Sequence, residues 1–461
     1  MPRVYHTKEE VLSQAQIILR KSLRDIILPA QIIEIEKKIG VYGLQRKGYL
    51  GNLVEKYVFD LEVNSKSEAD FNIPGLELKT TPLKKHAQGQ YTSKERLVFS
   101  MIDYKKIIHE HWETSSFLNK NRLLLLMFYL YELEKTVLDY EFKFISLLDL
   151  LQDISEQDIL QIRKDWEHIV AKIKRGEAHL LSEGETFYLG ACTKAANSEV
   201  MRDQPGTQVK AKPRAFSLKQ QYLNYLIQKK ILNKELDADS IAKRGKEKKT
   251  IDVLIQERFA PFVGRTDQQI MSSLKISLSK RSKNFKRLLA NSILTGTNSN
   301  KVEELEKADV TLKVVTLEHT GTLKESLSFP AFDYKSLVSQ VWYDEIGERM
   351  SDLYAQLDTK RFLFVIFQKI KGSDEIVLRK IKFWSFPVSD LTEVEKVFNK
   401  TIDCIKSGKY EDLPKMSENS VAHVRPHGRD ISDTITTPQG TQEIKRCFWL
   451  NAKYIQKALE Q

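Results

Sequence analysis

Two carboxylates and a lysine stand close together early in the chain. In the run Asp70-Phe-Asn-Ile-Pro-Gly-Leu-Glu77-Leu-Lys79, Glu77 and Lys79 are two residues apart. Side chains on a β-strand alternate between its faces, so this spacing places Glu77 and Lys79 side by side. Pro74 and Gly75 predict a turn that returns Asp70 to Glu77. Converging carboxylates hold Mg²⁺, and an adjacent ammonium positions or deprotonates water, so the run indicates metal-dependent phosphodiester hydrolysis.

Two elements must position these groups. Leu76, Leu78 and the threonines after Lys79 predict a β-strand with one buried face. Upstream, residues 49–59 predict an amphipathic helix that carries Glu55. A helix packed beside the strand would direct Glu55 to the same metal site. A lone helical glutamate is otherwise more often a surface charge, and both interpretations stay open.

Other segments predict an α/β core in each half of the chain. The apolar run Leu123–Leu130 predicts a buried strand, and residues 95–112 predict a strand followed by a helix. Residues 275–287 mix basic and apolar side chains and predict an amphipathic helix with a basic face. Strands with helices between them are typical of α/β domains.

Short motifs in the first half resemble the MutH family, which contains the mismatch-repair nicking endonuclease and related type II restriction endonucleases. The central match is Gly48-Tyr-Leu-Gly51 with Glu55, then Asp70-Phe, then Gly75-Leu-Glu77-Leu-Lys79-Thr80. Further matches follow in the same order: Trp112-Glu-Thr-Ser115 with Lys120, Tyr188-Leu189, Lys194-Ala-Ala-Asn197 and Arg214-Ala-Phe-Ser-Leu-Lys219. Several short motifs in one order are more specific than any one of them.

The resemblance implies a restriction-endonuclease-like α/β core, a mixed sheet flanked by helices. It implies Mg²⁺ as cofactor and double-stranded DNA as substrate, hydrolysed at GATC before the G by in-line attack of water. By resemblance the metal ligands are Glu55, Asp70 and Glu77, the catalytic set adds Lys79 and Lys120, and the DNA-binding residues are Lys194, Arg214, Ser217 and Lys219. The chain departs from the repair enzyme at Cys192-Thr193, where that enzyme has Arg-Pro, and at Ser217, where it has tyrosine.

The second half looks like a diverged copy of the first, displaced by about 230 to 240 residues, a length that suits a duplicated domain. The matching segments are Asp103-Tyr-Lys105 with Asp333-Tyr-Lys335, Trp112 with Trp342, Arg122–Phe128 with Arg361–Phe367, Ile173–Gly176 with Ile405–Gly408, and Arg214–Leu218 with Arg446–Leu450. The predicted organisation is a catalytic domain at 1–230, a charged linker at 231–250 and a DNA-binding domain at 251–461.

The second copy lacks the acids that a metal site needs. Ala290 stands opposite Glu55 and Thr311 opposite Glu77 in the pairing. We therefore expect this half to bind DNA without cutting it, through Arg425, His427 and Trp449. Whether the second half acts allosterically or has only a structural role stays open. Arg425 is equally well explained as a phosphate contact or a surface charge.

The composition of the chain limits the classes of partner and the cellular location that we expect for it. The 461 residues carry a formal net charge of +11, which favours a polyanion, and the three cysteines have no metal-binding spacing. They predict reduced thiols in a cytoplasmic protein, and no apolar run is long enough for a membrane span. The chain also lacks a phosphate-binding loop, so we expect no ATP dependence. Binding of two DNA sites at once and transient self-association on DNA stay open.

Two other functions compete with restriction. One is a strand-nicking mismatch-repair endonuclease, although the repair member of the family is about one domain long and this chain is double that length. The other is a non-catalytic DNA-binding regulator. Glu55, Asp70, Glu77 and Lys79 are all present, and that complete set argues against a protein without catalysis.

Overall fold

A computed structural model describes residues 3–42, 48–62, 68–195, 199–234, 238–242, 248–297, 301–343 and 350–460. The chain divides into two compact units. The first comprises Met1–Ala171 and Ala215–Leu236, and the second Lys172–Arg214 and Asp237–Gln461. The change of unit after Leu236 falls within the predicted linker, while residues 172–214 group with the second unit.

The first unit is built around a mixed sheet with helices. Its helices are α1 Lys8–Ala15, α2 Pro29–Tyr42, α3 Tyr49–Tyr57, α4 Tyr104–Ile107, α5 Ser116–Asn121, α6 Glu156–Lys174, which runs into the second unit, and α7 Gln220–Leu226. Its strands are β1 Leu76–Lys85, β2 Tyr91–Ser93, β3 Leu97–Met101, β4 Leu123–Leu130, β5 Phe142–Asp149 and β7 Arg214–Leu218. The predicted helix around Glu55, the strand through Glu77 and the buried strand at 123–130 are confirmed.

Strand β4 is the inner strand that organises this sheet. The sheet order is β2-β1-β4-β5, with β4 parallel to β1 and antiparallel to β5. Leu124 to Phe128 are all at most 3% exposed, as expected of an apolar run covered on both faces. In this register Glu77 lies opposite Leu124 and Lys79 opposite Leu126. The mixed sheet flanked by helices that the sequence predicted is therefore present.

The second unit contains the remaining elements. Its helices are α8 Ile251–Phe259, α9 Asp267–Leu274, α10 Phe285–Thr295, α11 Glu303–Lys307, α12 Tyr334–Leu337, α13 Asp352–Asp358, α14 Leu391–Lys406 and α15 Ala452–Glu460. Its strands are β6 Leu189–Thr193, β8 Val310–Leu317, β9 Leu327–Ser328, β10 Arg361–Lys369, β11 Ile376–Ser385, β12 Ala422–Pro426, β13 Thr434–Thr436, β14 Gln442–Ile444 and β15 Arg446–Leu450. Within this unit, sheets run in the orders β11-β10-β8 and β12-β15-β9, and β13 pairs with β14.

The second unit repeats connections of the first. Strand β10 is parallel to β8 and antiparallel to β11, as β4 is to β1 and β5. Thr311 lies opposite Phe362, as Glu77 lies opposite Leu124. This register makes Phe362 the counterpart of Leu124. The sequence alignment that pairs Arg122 with Arg361 is therefore shifted by one residue from the register of the strands. The aspartates Asp103 and Asp333 cap α4 and α12 in the same way.

The predicted amphipathic helix over 275–287 is wrong. Helix α9 ends at Leu274, Lys275 adopts the left-handed conformation with φ +55°, and α10 begins only at Phe285. Between them the Ser282 amide donates to the Ser279 carbonyl and the Asn284 amide to Ser282 Oγ. The Ser282 hydroxyl offers the backbone a local partner in place of a helical one, and such competition favours a break in the helix.

Two further expectations concern the whole chain. Cys192, Cys404 and Cys447 are free and buried, as predicted for reduced thiols. Over the residues that the structure describes, no helix combines the length and the apolar character that crossing a membrane requires.

Candidate active site

Two ammonium groups converge on one oxygen of Glu77. Lys79, on the same face of β1, places Nζ 2.8 Å from Glu77 Oε1. Lys120, from helix α5, places Nζ 3.8 Å from the same oxygen. The Glu77 side chain is 4% exposed, and those of the two lysines are 17% and 16% exposed. The spacing of two residues therefore does bring Glu77 and Lys79 together, and the tertiary fold adds Lys120.

The predicted turn brings Asp70 to the start of β1. Phe71 and Leu76 exchange backbone hydrogen bonds of 3.0 and 3.1 Å, and Gly75 has φ +64°, which favours glycine. The Asp70 amide donates to Glu77 Oε2 at 3.3 Å. Asp70 Oδ2 in turn accepts from the Leu78 amide at 2.9 Å. Both carboxylates are thus held by hydrogen bonds that orient them.

Helix α3 delivers the third carboxylate. Its Leu50, Leu53 and Val54 are buried in one apolar cluster with Leu76 and Leu78 of β1. The approach is close at Gly51, where an added Cβ would lie 3.4 Å from Thr80 Oγ1. The next turn of the helix carries Glu55, which is partly buried. The interpretation of Glu55 as a solvated surface charge is thereby disfavoured.

Burial and neighbouring carboxylates oppose the ionisation of Glu55 and Glu77. Burial, and then the negative charges of Asp70 and Glu77, raise the pKa of Glu55 to about 7. Burial likewise raises the pKa of Glu77, although Lys79 and Lys120 work in the opposite direction. Such shifts arise where carboxylates crowd together in a partly dehydrated place. They are common at functional sites, and here they coincide with the predicted catalytic residues.

The donor set suits a hard divalent cation. Carboxylate oxygens are the ligands that Mg²⁺ prefers, and a bound cation would relieve the repulsion that raises the pKa of Glu55. In the described stretches, no three His, Cys, Asp or Glu side chains are already gathered as a metal-binding group. Both oxygens of Glu77 instead accept from the Lys79 ammonium and the Asp70 amide. The residue chemistry therefore fits Mg²⁺, while Glu77 is held by donors of the chain itself.

The predicted DNA-binding residues of the first half differ in exposure. Lys194, just after β6, is exposed, and its amide donates to the Pro213 carbonyl. Arg214, Ser217 and Lys219 are at most 5% exposed, and Arg214 Nη1 donates to the Ala191 carbonyl. Their predicted contacts with DNA stay predictions. Residues 196–198, which include Asn197 of the Lys194-Ala-Ala-Asn197 motif, lie outside the described residues.

In the second unit, Arg425, His427 and Trp449 form one cluster. The Arg425 guanidinium lies 4.6 Å from the centre of the Trp449 ring, and the His427 ring meets that ring edge-on at 5.6 Å. His423 stacks on Trp449 at 6.4 Å and is a member that sequence reasoning missed. Residues 423, 425 and 427 are two apart, a spacing that places strand side chains on one face, and this pattern could have predicted that His423 joins the cluster.

The chain is similar to known enzymes over its whole length. The type II restriction enzyme Sau3AI of Staphylococcus aureus is 32% identical over a 516-residue alignment that covers 99% of both chains. The chain belongs to the MutH-like restriction endonuclease family. The DNA mismatch repair protein MutH of Escherichia coli is 26% identical over 230 residues, 49% of this chain and 94% of that protein. The family model described as DNA mismatch repair enzyme MutH matches residues 59–165.

The family model covers most, but not all, of the predicted catalytic residues. The stretch matched by the family model includes Asp70, Glu77, Lys79 and Lys120. It begins just after Glu55, so four of the five predicted catalytic residues lie within the matched stretch. The similarity to the restriction enzyme covers 99% of the chain and so extends through the second half. The similarity to the mismatch repair protein covers only 49% of the chain.

Proposed function

We propose that this protein is a type II restriction endonuclease that hydrolyses double-stranded DNA at GATC, before the G. The observation that carries the proposal is the Glu77–Lys79–Lys120 cluster on β1 and α5, in a chain whose full length is similar to a type II restriction enzyme. The resemblance to MutH endonucleases supplies the sequence GATC and the position of the cut.

In this proposal Glu55, Asp70 and Glu77 hold Mg²⁺, which would polarise the scissile phosphate and stabilise the charge that develops on it. Lys79 is the group best placed to act on water, since its ammonium already lies 2.8 Å from the Glu77 carboxylate. It orients the attacking water, and Glu77 holds the ammonium in place before the metal binds. Lys120 supplies a second positive charge to the phosphate side of the site.

We also propose that the second half arose by duplication of the first and binds DNA without cutting it. The matching strand connections, the shared register of Thr311 and Glu77, and the equivalent caps of α4 and α12 support a common origin. Ala290 and Thr311 replace two of the three acids. Glu304, near the counterpart of Asp70, instead accepts from Ser240 Oγ and the amides of 241 and 242, and so serves the fold.

The competing nicking function predicts a different product. Supercoiled plasmid that carries GATC is incubated with purified protein, with Mg²⁺ or with EDTA. A restriction enzyme yields linear DNA with ends at GATC, and a nicking enzyme accumulates open circles. A regulator without catalysis leaves the plasmid supercoiled. Ends that map elsewhere would contradict the GATC assignment while leaving the nuclease assignment intact.

A further inference from the structure

The second unit has a lysine at the position that corresponds to Lys79 of the first unit, but its neighbouring groups differ. Lys313 lies on β8 two residues after Thr311, as Lys79 lies two residues after Glu77. In the first unit the ammonium pairs with the carboxylate of Glu77. In the second unit Lys313 Nζ donates to the Ser328 carbonyl at 3.1 Å. Across the described ranges, no carboxylate lies within ion-pair distance of Lys313 Nζ.

Two cations lie on elements next to Lys313. Helix α10, which carries Arg287, packs against β8, and Asp309, the partner of Lys360, directly precedes β8. Burial lowers the pKa of Lys313, and the charges of Arg287 and Lys360 lower it further. Lys360 has a carboxylate partner, Asp309, at 3.3 Å. Arg287, on helix α10, is exposed and has no ion-pair partner among the described side chains. The three cations and one carboxylate leave a local excess of positive charge that a bound anion would stabilise.

The cluster adjoins the Arg425–Trp449 face of the same unit. Cys447 lies opposite Arg425 in the pairing of β12 with β15. Burial raises the pKa of the Cys447 thiol to about 12, and both Arg425 and Lys313 act on it in the opposite direction. Lys313 Nζ donates to the Ser328 carbonyl, and Ser328 lies opposite Trp449 in the pairing of β9 with β15. The Trp449 ring in turn contacts Arg425, so a single extended polyanion can reach both Lys313 and Arg425.

From this arrangement we propose that Lys313, Arg287 and Lys360 form a binding site for a backbone phosphate of double-stranded DNA, at the position that corresponds to the active site of the first unit. Loss of the acids converted a site for cations into one for anions. An ammonium has three donors, and the bond to Ser328 leaves two for phosphate oxygens. The proposal rests on the proposed DNA-binding role of the second half and names the contact through which it acts.

The first test measures DNA affinity of the full-length protein in EDTA, so that no cleavage occurs. Binding of duplexes with and without GATC is followed across a salt series. We expect Lys313→Met to weaken both duplexes severalfold and to reduce the slope of log affinity against log salt by about 1, as for the loss of one phosphate contact. Lys371→Met, at an exposed lysine of the same unit, is the matched control and should leave affinity and slope unchanged.

Two further variants keep the test decisive if Lys313→Met is poorly folded. Lys313→Arg keeps the charge and should retain the slope. Thr311→Glu keeps the lysine but gives it the carboxylate neighbour that Lys79 has in Glu77, and should weaken DNA binding as Lys313→Met does. Wild-type slopes in both Lys313→Met and Thr311→Glu would overturn the proposal.

Acetylation of lysines, read by mass spectrometry, locates the contact. We expect DNA to protect Lys313 and to leave Lys371 modified. Protection by millimolar inorganic phosphate but not by DNA would assign the cluster to free phosphate and overturn the proposal. Failure of the proposed restriction function would be seen in a different assay, as the absence of GATC cleavage by the wild-type protein with Mg²⁺.

Discussion

Glu77 Oε1 lies between two ammonium groups while Oε2 accepts from the Asp70 amide. This carboxylate therefore has its charge satisfied within the protein before any cation binds. In the proposed mechanism a divalent cation would compete with Lys79 for Glu77, and that competition would free the lysine ammonium for water or phosphate. Under this proposal, metal binding would be coupled to the release of the Lys79 ammonium.

Removing a site carboxylate should abolish cleavage and spare DNA binding. For Glu77→Ala and Asp70→Ala we expect the cleavage rate to fall more than about a hundredfold, because loss of even an outer partner of a metal ligand costs about 10- to 100-fold. Lys79→Ala should lose most of the rate. Plasmid cleavage and EDTA binding assays measure the two effects. The control is Glu132→Gln, in an exposed pair with Lys135. Mg²⁺-dependent cutting by Glu77→Ala would refute the site.

Glu55 should make the metal-free protein less stable as pH rises. Its pKa of about 7 lies above the ordinary value of 4.5, so the folded chain holds this proton more tightly than the unfolded chain. The stabilisation is fully present below about pH 4.5 and is lost as pH rises through about 7. Glu55→Gln removes the titration, so its Tm relative to wild type should increase from pH 5 to pH 8 in EDTA. Parallel Tm curves would contradict the assignment.

At the scale of elements, the contact of α3 with β1 decides where Glu55 lies. Apolar side chains of α3 and β1 share one cluster, and Gly51 lets the helix approach Thr80. Helix-strand packing of this kind is sensitive to added volume, because protein interiors have little free space. The position of Glu55, a proposed metal ligand, thus depends on a glycine one helical turn away.

Enlarging Gly51 should displace Glu55 without touching it. Gly51→Ala adds a Cβ 3.4 Å from Thr80 Oγ1, an ordinary contact, and should retain activity. Gly51→Val adds branched methyl groups that overpack the contact, at a cost of about 1–3 kcal/mol of unfolding free energy. We expect a lower Tm and slower cleavage. The double variant Gly51→Val with Thr80→Ala should recover part of both losses, and independent effects in this double-mutant cycle would refute the coupling.

At the scale of the whole molecule, the chain carries two units of related strand connection and unequal chemistry. The acids and lysines of the first unit have no equivalent set in the second, where Arg425, Trp449 and Lys313 offer contacts suited to DNA. If both units bind DNA, as proposed, they raise each other's effective concentration on DNA that has two sites. The benefit of the second half should therefore appear in the kinetics of cleavage.

A plasmid with two GATC sites should be cut faster per site than a plasmid with one. Occupancy of the second half must change the rate at the first if the two are coupled. An added GATC duplex should accelerate cleavage of the one-site plasmid, and Arg425→Ala should remove this acceleration while leaving the slow basal rate. All rates are compared at one salt concentration, because phosphate contacts are salt-sensitive. Equal rates per site on both plasmids would remove the coupling and leave the catalytic proposal intact.

The sequence by itself determined the local parts of this protein. The period of two placed Glu77 beside Lys79, the Pro74-Gly75 pair produced the turn, and the apolar run 123–130 became an inner strand, because each depends on neighbours in sequence. Sequence also failed locally at 275–287, where serine side chains compete with the helical backbone.

Only the tertiary structure decided which distant groups share a site. Lys120 meets Glu77 because β1 and β4 pair in parallel and α5 precedes β4, and Glu55 joins them because α3 packs on β1. The burial of Ser217 and the cations around Lys313 likewise could not be predicted from spacing along the chain. Charge effects and desolvation depend on distances across the fold, which no periodicity along the chain encodes.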